Sequence, residues 1–78
     1  MFLEIVTPEK KIFEGEITLI QLPGSKGTFA ILDHHAPIVS TLAAGKIRIV
    51  DTSNRTRYFD VNGGIVECKR NSIVVLAE

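Results

Sequence analysis

The chain has 78 residues, nine basic and nine acidic side chains, and one cysteine. A chain this short folds as one domain, here residues 1–78, and buries only about 60% of its unfolded surface. Zero formal net charge gives no field that would collect nucleic acid or anionic lipid. One free thiol and no secretory signal indicate the cytoplasm, and no apolar run is long enough to insert into a membrane. A single cysteine allows no internal disulfide, so if a domain this small needs further stabilisation, a protein partner is the expected source.

Short apolar segments alternate with turn signals along the whole chain, which is typical of a β-sandwich or barrel. No window carries the apolar stripe of an amphipathic helix. The sequence predicts an all-β fold of eight to ten short strands. In chain order the predicted strands are residues 2–7, 11–14, 16–22, 28–32, 38–42, 46–51, 55–61, 65–68 and 72–77.

Two further predictions concern the path of individual strands. Gly15 is expected to break the chain between the second and third strands, because glycine weakens a strand interior. Residues 73–76 are apolar on both faces, which indicates a central strand or one covered by a partner.

Residues 46–61 form the clearest predicted hairpin, because apolar and polar side chains alternate on both sides of a turn. Ile47, Ile49, Phe59 and Val61 are expected to face the core. Arg57 has the same parity as Phe59 and Val61, so a bulge or an edge position is expected there.

Three groups of residues are candidates for chemistry. Residues 33–35, Asp-His-His, suit a metal site or a general base, but no third group matches them, so a polar turn is favoured. Cys68 is interpreted as a buried apolar filler. Residues 24–27 resemble part of a phosphate loop but lack its Gly-Lys-Ser/Thr ending. We predict no catalytic residue, no cofactor and no metal, and hence a non-enzymatic module that binds proteins.

Two other classes of small β-domain have sequence features that differ from this pattern. A biotinyl or lipoyl carrier displays one lysine at a hairpin tip beside small residues or methionine, and neither Lys26 nor Lys69 has that setting. An oligonucleotide-binding barrel needs more positive charge and more aromatic side chains. The small carrier and the generic protein-binding module remain as alternatives.

Several short motifs, taken in order, resemble a known family over essentially the whole chain. They are Phe13-x-Gly15-x-Ile17, Gly24-Ser25-x-Gly27, His35-Ala36-Pro37-Ile38 and Gly63-Gly64-Ile65-Val66-Glu67. This ordered set resembles the epsilon subunit of the bacterial F-type ATP synthase. The resemblance implies a ten-stranded antiparallel β-sandwich in the central stalk, where it grips the gamma subunit and rests on the membrane c-ring. It implies a subunit without an active site, at the cytoplasmic face of the inner membrane, that couples proton flow to ATP synthesis.

The resemblance also implies which residues contact the gamma subunit or the c-ring. They are Gly24, Ser25, Lys26, Gly27, Thr28, His35, Ala36, Pro37, Ser40, Asn62 and Thr7. Many relatives carry an acidic residue where this chain has Thr28. Typical relatives also continue into a C-terminal helical hairpin that inhibits ATP hydrolysis. The sequence ends at Glu78, and if 78 residues is the natural length, inhibition by that route is not expected.

Overall fold

A computed structural model describes all 78 residues and is all-β, which confirms the predicted fold class. Its eight strands fall within the predicted eight to ten. They are β1 (Phe2–Val6), β2 (Lys11–Gly24), β3 (Gly27–Leu32), β4 (Ile38–Leu42), β5 (Gly45–Asp51), β6 (Thr56–Val61), β7 (Gly64–Lys69) and β8 (Ser72–Ala77). The chain forms no helix of the length and apolarity needed to cross a membrane.

Strand β2 is one continuous strand of 14 residues, so the expected break at Gly15 is wrong. Gly15 pairs with Leu3 of β1, and this pairing holds the glycine in extended backbone. Beyond Glu16, β2 no longer pairs with β1 and pairs instead with β3 and β5. A register shift between Ile17 and Leu19 accompanies the switch, as expected where one strand passes between two packed sheets.

The two halves of β2 belong to two layers. Its first half pairs with β1, followed by β8, β7 and β4, and we call this layer sheet I. Its second half lies between β3 and β5, with β6 beyond, and we call this layer sheet II. All the pairings are antiparallel except that of β1 with β8. One bridge between Gly24 and Leu42 joins the end of β2 back to β4.

A single apolar core fills the space between the sheets, because alternate side chains of both layers point inward. It contains Met1, Leu3, Ile5, Ile17, Ile20, Leu22, Ile31, Leu42, Ile47, Ile49, Val61, Val66, Cys68, Ile73, Val75 and Ala77. Ile47, Ile49 and Val61 are buried as predicted, and Phe59 packs against the core. Strand β8 lies inside sheet I, between β1 and β7, so the expectation of a central strand for residues 73–76 is confirmed.

At one side of the sandwich the rings of Phe13 and Phe59 pack together, and Arg57 lies over both rings. The Phe13 and Phe59 rings lie 5.5 Å apart. The Arg57 guanidinium carbon lies 5.2 Å from the Phe13 ring centre and 5.1 Å from that of Phe59. Arg57 is on the edge strand β6, and the register between β5 and β6 is regular there. Of the two alternatives expected for Arg57, the structure shows the edge position and no bulge.

Candidate protein-interaction site

The hairpin between β2 and β3 is fixed by two glycines. Gly24 pairs with Gly27, so Ser25 and Lys26 form a two-residue turn at the tip. A side chain at Gly24 would collide with the Phe29 ring and with the Gly27 carbonyl oxygen. Gly27 has a φ of 131°, a conformation that other residues rarely adopt. The two glycines therefore set the shape of the tip and the direction in which Lys26 projects.

Two hydrogen bonds hold this tip against β4. The Ser25 backbone N–H donates to the Thr41 carbonyl oxygen at 3.0 Å. The Thr41 hydroxyl donates to Ser25 Oγ at 2.8 Å. The tip is therefore attached to the edge strand of sheet I.

An open cleft of about 580 Å³ lies between the hairpin and β4, and we call it the hairpin cleft. Its lining residues are Gly24, Ser25, Lys26, Gly27, Thr28, Phe29, Val39, Ser40 and Thr41. Six of the eleven residues expected from the resemblance meet here, namely Gly24, Ser25, Lys26, Gly27, Thr28 and Ser40. Lys26 is the one charged side chain in the lining, and Val39, at 69% exposure, is among its few apolar residues. The cleft is thus a surface of mixed polar and apolar character that carries one positive charge.

The loop that carries His35, Ala36 and Pro37 joins β3 to β4 and is exposed. His35 Nδ1 lies 2.7 Å from the Ala36 carbonyl oxygen, so the imidazole is bonded within its own loop. Pro37 also borders a second, smaller cleft of about 230 Å³ beside β7. These three residues lie at the opposite end of β4 from the Gly24–Leu42 bridge.

Asn71 fixes this loop from another turn of the fold. Its Nδ2 donates to Asp33 Oδ1 at 2.8 Å, and its Oδ1 accepts the His34 backbone N–H at 2.9 Å. The hydrogen bond from Asn71 is the main reason that the pKa of Asp33 lies below its usual value. Asn71 has a φ of 62°, which asparagine tolerates better than most residues. Sequence reasoning missed its role, because an asparagine between two strands indicates only a turn.

Asn62 and Thr7 lie in two further turns. Asn62 precedes Gly63, whose carbonyl oxygen accepts the Glu78 N–H at 3.1 Å. The Thr7 hydroxyl donates to the Lys10 carbonyl oxygen at 3.1 Å. The structure places neither residue in the hairpin cleft, so the expected contact residues are distributed over several turns.

The structure also shows the surroundings of His34 and Cys68, which the sequence offers as candidates for metal binding or catalysis. His34 Nε2 lies 3.5 Å from Asp33 Oδ2 on an exposed turn. No three His, Cys, Asp or Glu side chains are grouped in a way that would hold a metal ion. Cys68 is buried in the core as interpreted from the sequence, and burial raises the pKa of its thiol. A neutral, buried thiol is a poor nucleophile.

A family model described as "ATP synthase, Delta/Epsilon chain, beta-sandwich domain" matches residues 1–78. The ATP synthase epsilon chain of Caulobacter vibrioides is 36% identical over 78 residues, which cover all of this chain and 90% of the relative. That of Chlorobium limicola is 38% identical over 76 residues, covering 97% and 86%. That of Leptospira interrogans is 40% identical over 76 residues, and here the match covers 59% of the relative.

Two solved structures share the fold. A chain of the Euglena gracilis mitochondrial ATP synthase superposes with a TM-score of 0.90 at 17% identity, over 96% of this chain and 48% of that one. A chain of the Tetrahymena thermophila central stalk and c-ring structure gives 0.79 at 20% identity, over 99% and 62%. The full-length family match and the Caulobacter relative confirm the resemblance read from the motifs. The chain belongs to the epsilon-chain family of F-type ATP synthase subunits.

Proposed function

We propose that this chain acts as a rotor subunit of the central stalk, joining the gamma subunit to the membrane c-ring. In this role it couples proton flow to ATP synthesis mechanically and carries out no catalysis. It works at the cytoplasmic face of the inner membrane as a peripheral part of the complex. The observation that carries the proposal is the family match along the whole described chain.

The surface of the domain supports a role in protein contact. The hairpin cleft gathers exposed backbone and hydroxyl groups around one lysine, and it is shallow and open rather than enclosed. The chemistry-bearing side chains of the molecule are either buried, as Cys68 is, or exposed on turns, as His34 is. Such an arrangement suits the docking of a folded partner better than the conversion of a small substrate.

The test is assembly with the cognate gamma subunit. The purified chain should co-elute with gamma at roughly one to one, since a standard interface of about 800 Å² per partner gives a stable complex. Lys26→Trp and Thr28→Trp should keep the fold and weaken assembly of the stalk on the c-ring. Thr52→Trp, in the exposed β5–β6 turn, is the matched control. A chain that binds neither gamma nor the c-ring would overturn the proposal.

A further inference from the structure

The two edge strands of sheet II are protected to very different degrees. Natural proteins guard an edge strand with charges, including charges that point inward, because an open edge accepts another strand. Strand β6 has such guards in Asp60 and the inward-facing Arg57. Strand β3, from Gly27 to Leu32, contains neither a charged residue nor a proline. Its only ladder partner is β2, so its other edge is unpaired.

The backbone groups on the open edge of β3 can be assigned. The Leu32 carbonyl oxygen accepts the His35 N–H at 3.1 Å, so Leu32 faces away from β2. Residues in an antiparallel pair alternate between bonding the partner and facing away. Ala30 and Thr28 therefore face away as well.

Contacts at the other end of the strand agree with this assignment. Pro23, opposite Thr28, has no N–H, and its carbonyl oxygen accepts the Ala43 N–H at 2.8 Å. Pro23 and Thr28 are thus not bonded to each other. The N–H groups of Thr28 and Ala30, and their carbonyl oxygens, point to the open edge.

This open edge leads directly into the hairpin cleft, since Thr28 belongs to both. The cleft offers hydroxyl groups and one positive charge, on Lys26, with no acidic side chain in its lining. A segment that continues along β3 into the cleft therefore meets hydrogen-bonding backbone first and then an unpaired cation. A carboxylate is the group that complements this end.

We propose that β3 accepts an extended segment of a partner protein as an added strand, with an acidic side chain of that segment facing Lys26. Strand addition draws its affinity from main-chain hydrogen bonds, and a side-chain contact sets its register. The inference rests on the proposed function only for the choice of partner, because the stalk supplies gamma and the c-ring as candidates.

Amide exchange tests the backbone pairing directly. In the free chain the Thr28 and Ala30 amides should exchange faster than those of Phe29 and Ile31, which bond to β2. On addition of purified gamma subunit, or of detergent-solubilised c-ring, one of the two probes should slow Thr28 and Ala30 by about 100-fold. Binding of both probes without such protection would overturn strand addition and leave the proposed function standing.

A proline variant tests the same edge by mutation. Ala30→Pro removes an outward N–H and spares the bonds to β2, a position where an edge strand tolerates proline. The matched control is Thr56→Pro on β6. The Asp51 N–H bonds the Arg55 carbonyl oxygen, so the next residue, Thr56, also faces outward. Ala30→Pro should weaken binding about tenfold or more, and Thr56→Pro should not. Equal affinities of the two folded variants would contradict the inference.

Charge reversal tests the acidic side chain of the partner segment. Lys26→Glu should weaken binding about tenfold at low salt, and Lys26→Arg should preserve it. Arg55→Glu, in the turn before β6, is the control for net charge. Unchanged binding by Lys26→Glu would remove the acidic contact.

Concentration-dependent protection of Ala30 in the chain alone would instead identify a second copy as the occupant and overturn the assignment to a partner. Failure to bind either probe would overturn the proposed function and this inference together.

Discussion

Asn71 and Asp33 join two turns that are 38 positions apart, through a hydrogen bond of 2.8 Å from the amide to the carboxylate. The same asparagine holds the backbone of His34. The loop before β4 is thus fixed by the β7–β8 turn, and the position of His35 and Pro37 depends on a residue outside their own segment.

This hydrogen bond predicts a dependence of stability on pH. It lowers the pKa of Asp33 in the folded chain more than desolvation raises it. A carboxyl whose folded pKa lies below its unfolded value of about 3.9 adds stability above that value. The contribution is lost as the pH falls through the folded pKa. Denaturant unfolding between about pH 5 and pH 2 should therefore show a smaller loss of stability for Asp33→Asn than for the wild type.

An Asn71→Ala background provides the control for this measurement. Without the donor, Asp33→Asn should change the slope of stability against pH much less. The same slope difference in both backgrounds would show that Asn71 is not the cause.

Alanine substitutions at Gly64 and Gly27 should lower the free energy of unfolding by very different amounts, although the two glycines have similar backbone conformations. Gly64 has a φ of 145°, and a methyl group there would collide with the Leu76 carbonyl oxygen. Gly27 has a φ of 131°, with no atom near the position of the methyl group. Gly64→Ala should cost about 3 kcal/mol or more, whereas Gly27→Ala should cost about 1–2 kcal/mol from backbone strain alone. Chemical denaturation measures both, and equal losses would contradict the packing at β8.

Adjacent residues of β8 predict opposite responses to a charge. Val75 is 0% exposed in the core, and Leu76 is 54% exposed on the outer face of sheet I. Val75→Asp should cost on the order of 3–5 kcal/mol and unfold the isolated domain, since it leaves a charge buried and unpaired. Leu76→Asp should cost about 1 kcal/mol or less. Circular dichroism and thermal unfolding of the two variants distinguish them, and a folded Val75→Asp chain would contradict the assignment of inner and outer faces.

Replacing Arg57 should change the self-association of the chain rather than its fold. Its guanidinium covers the rings of Phe13 and Phe59 and places a charge beside the edge of sheet II. Arg57→Leu should remain folded and lose about 0.5–1 kcal/mol of cation–π stabilisation. It should also self-associate through β6.

Sedimentation at increasing concentration measures that association. Arg55→Leu removes a nearby charge from the turn before β6 and should stay monomeric. If Arg57→Leu is equally monomeric, the inward charge is not what guards this edge.

The sequence predicted most of the strands because their limits are set locally, by alternating side chains and by turn residues such as Pro8 and Asn62. It failed at Gly15, where local propensity indicates a break and pairing with Leu3 keeps the strand intact. It also missed Asn71, whose hydrogen bonds reach residues 37 and 38 positions away. Contacts over such separations are set by the packing of the sheets and leave no periodic signal in the chain.

The expected contact residues also fall into two groups, those that are neighbours in sequence and those that only the fold could bring together. Those from Gly24 to Thr28 are neighbours in sequence, so one hairpin brings them together. Ser40 joins them because Thr41 bonds Ser25 across the cleft, which only the folded chain reveals. Thr7 and Asn62 belong to other turns, so a single flat partner surface is not implied by the motifs alone.

The continuous path of β2 has a mechanical consequence. Because one strand carries bonds in both layers, sheet I cannot slide over sheet II unless the ladder of β2 breaks. The Gly24–Leu42 bridge closes β1, β8, β7, β4 and β2 into a hydrogen-bonded ring, so a force on the hairpin tip is opposed in shear by several strands at once. We therefore expect a load applied at the hairpin tip to reach both sheets with little relative movement between them.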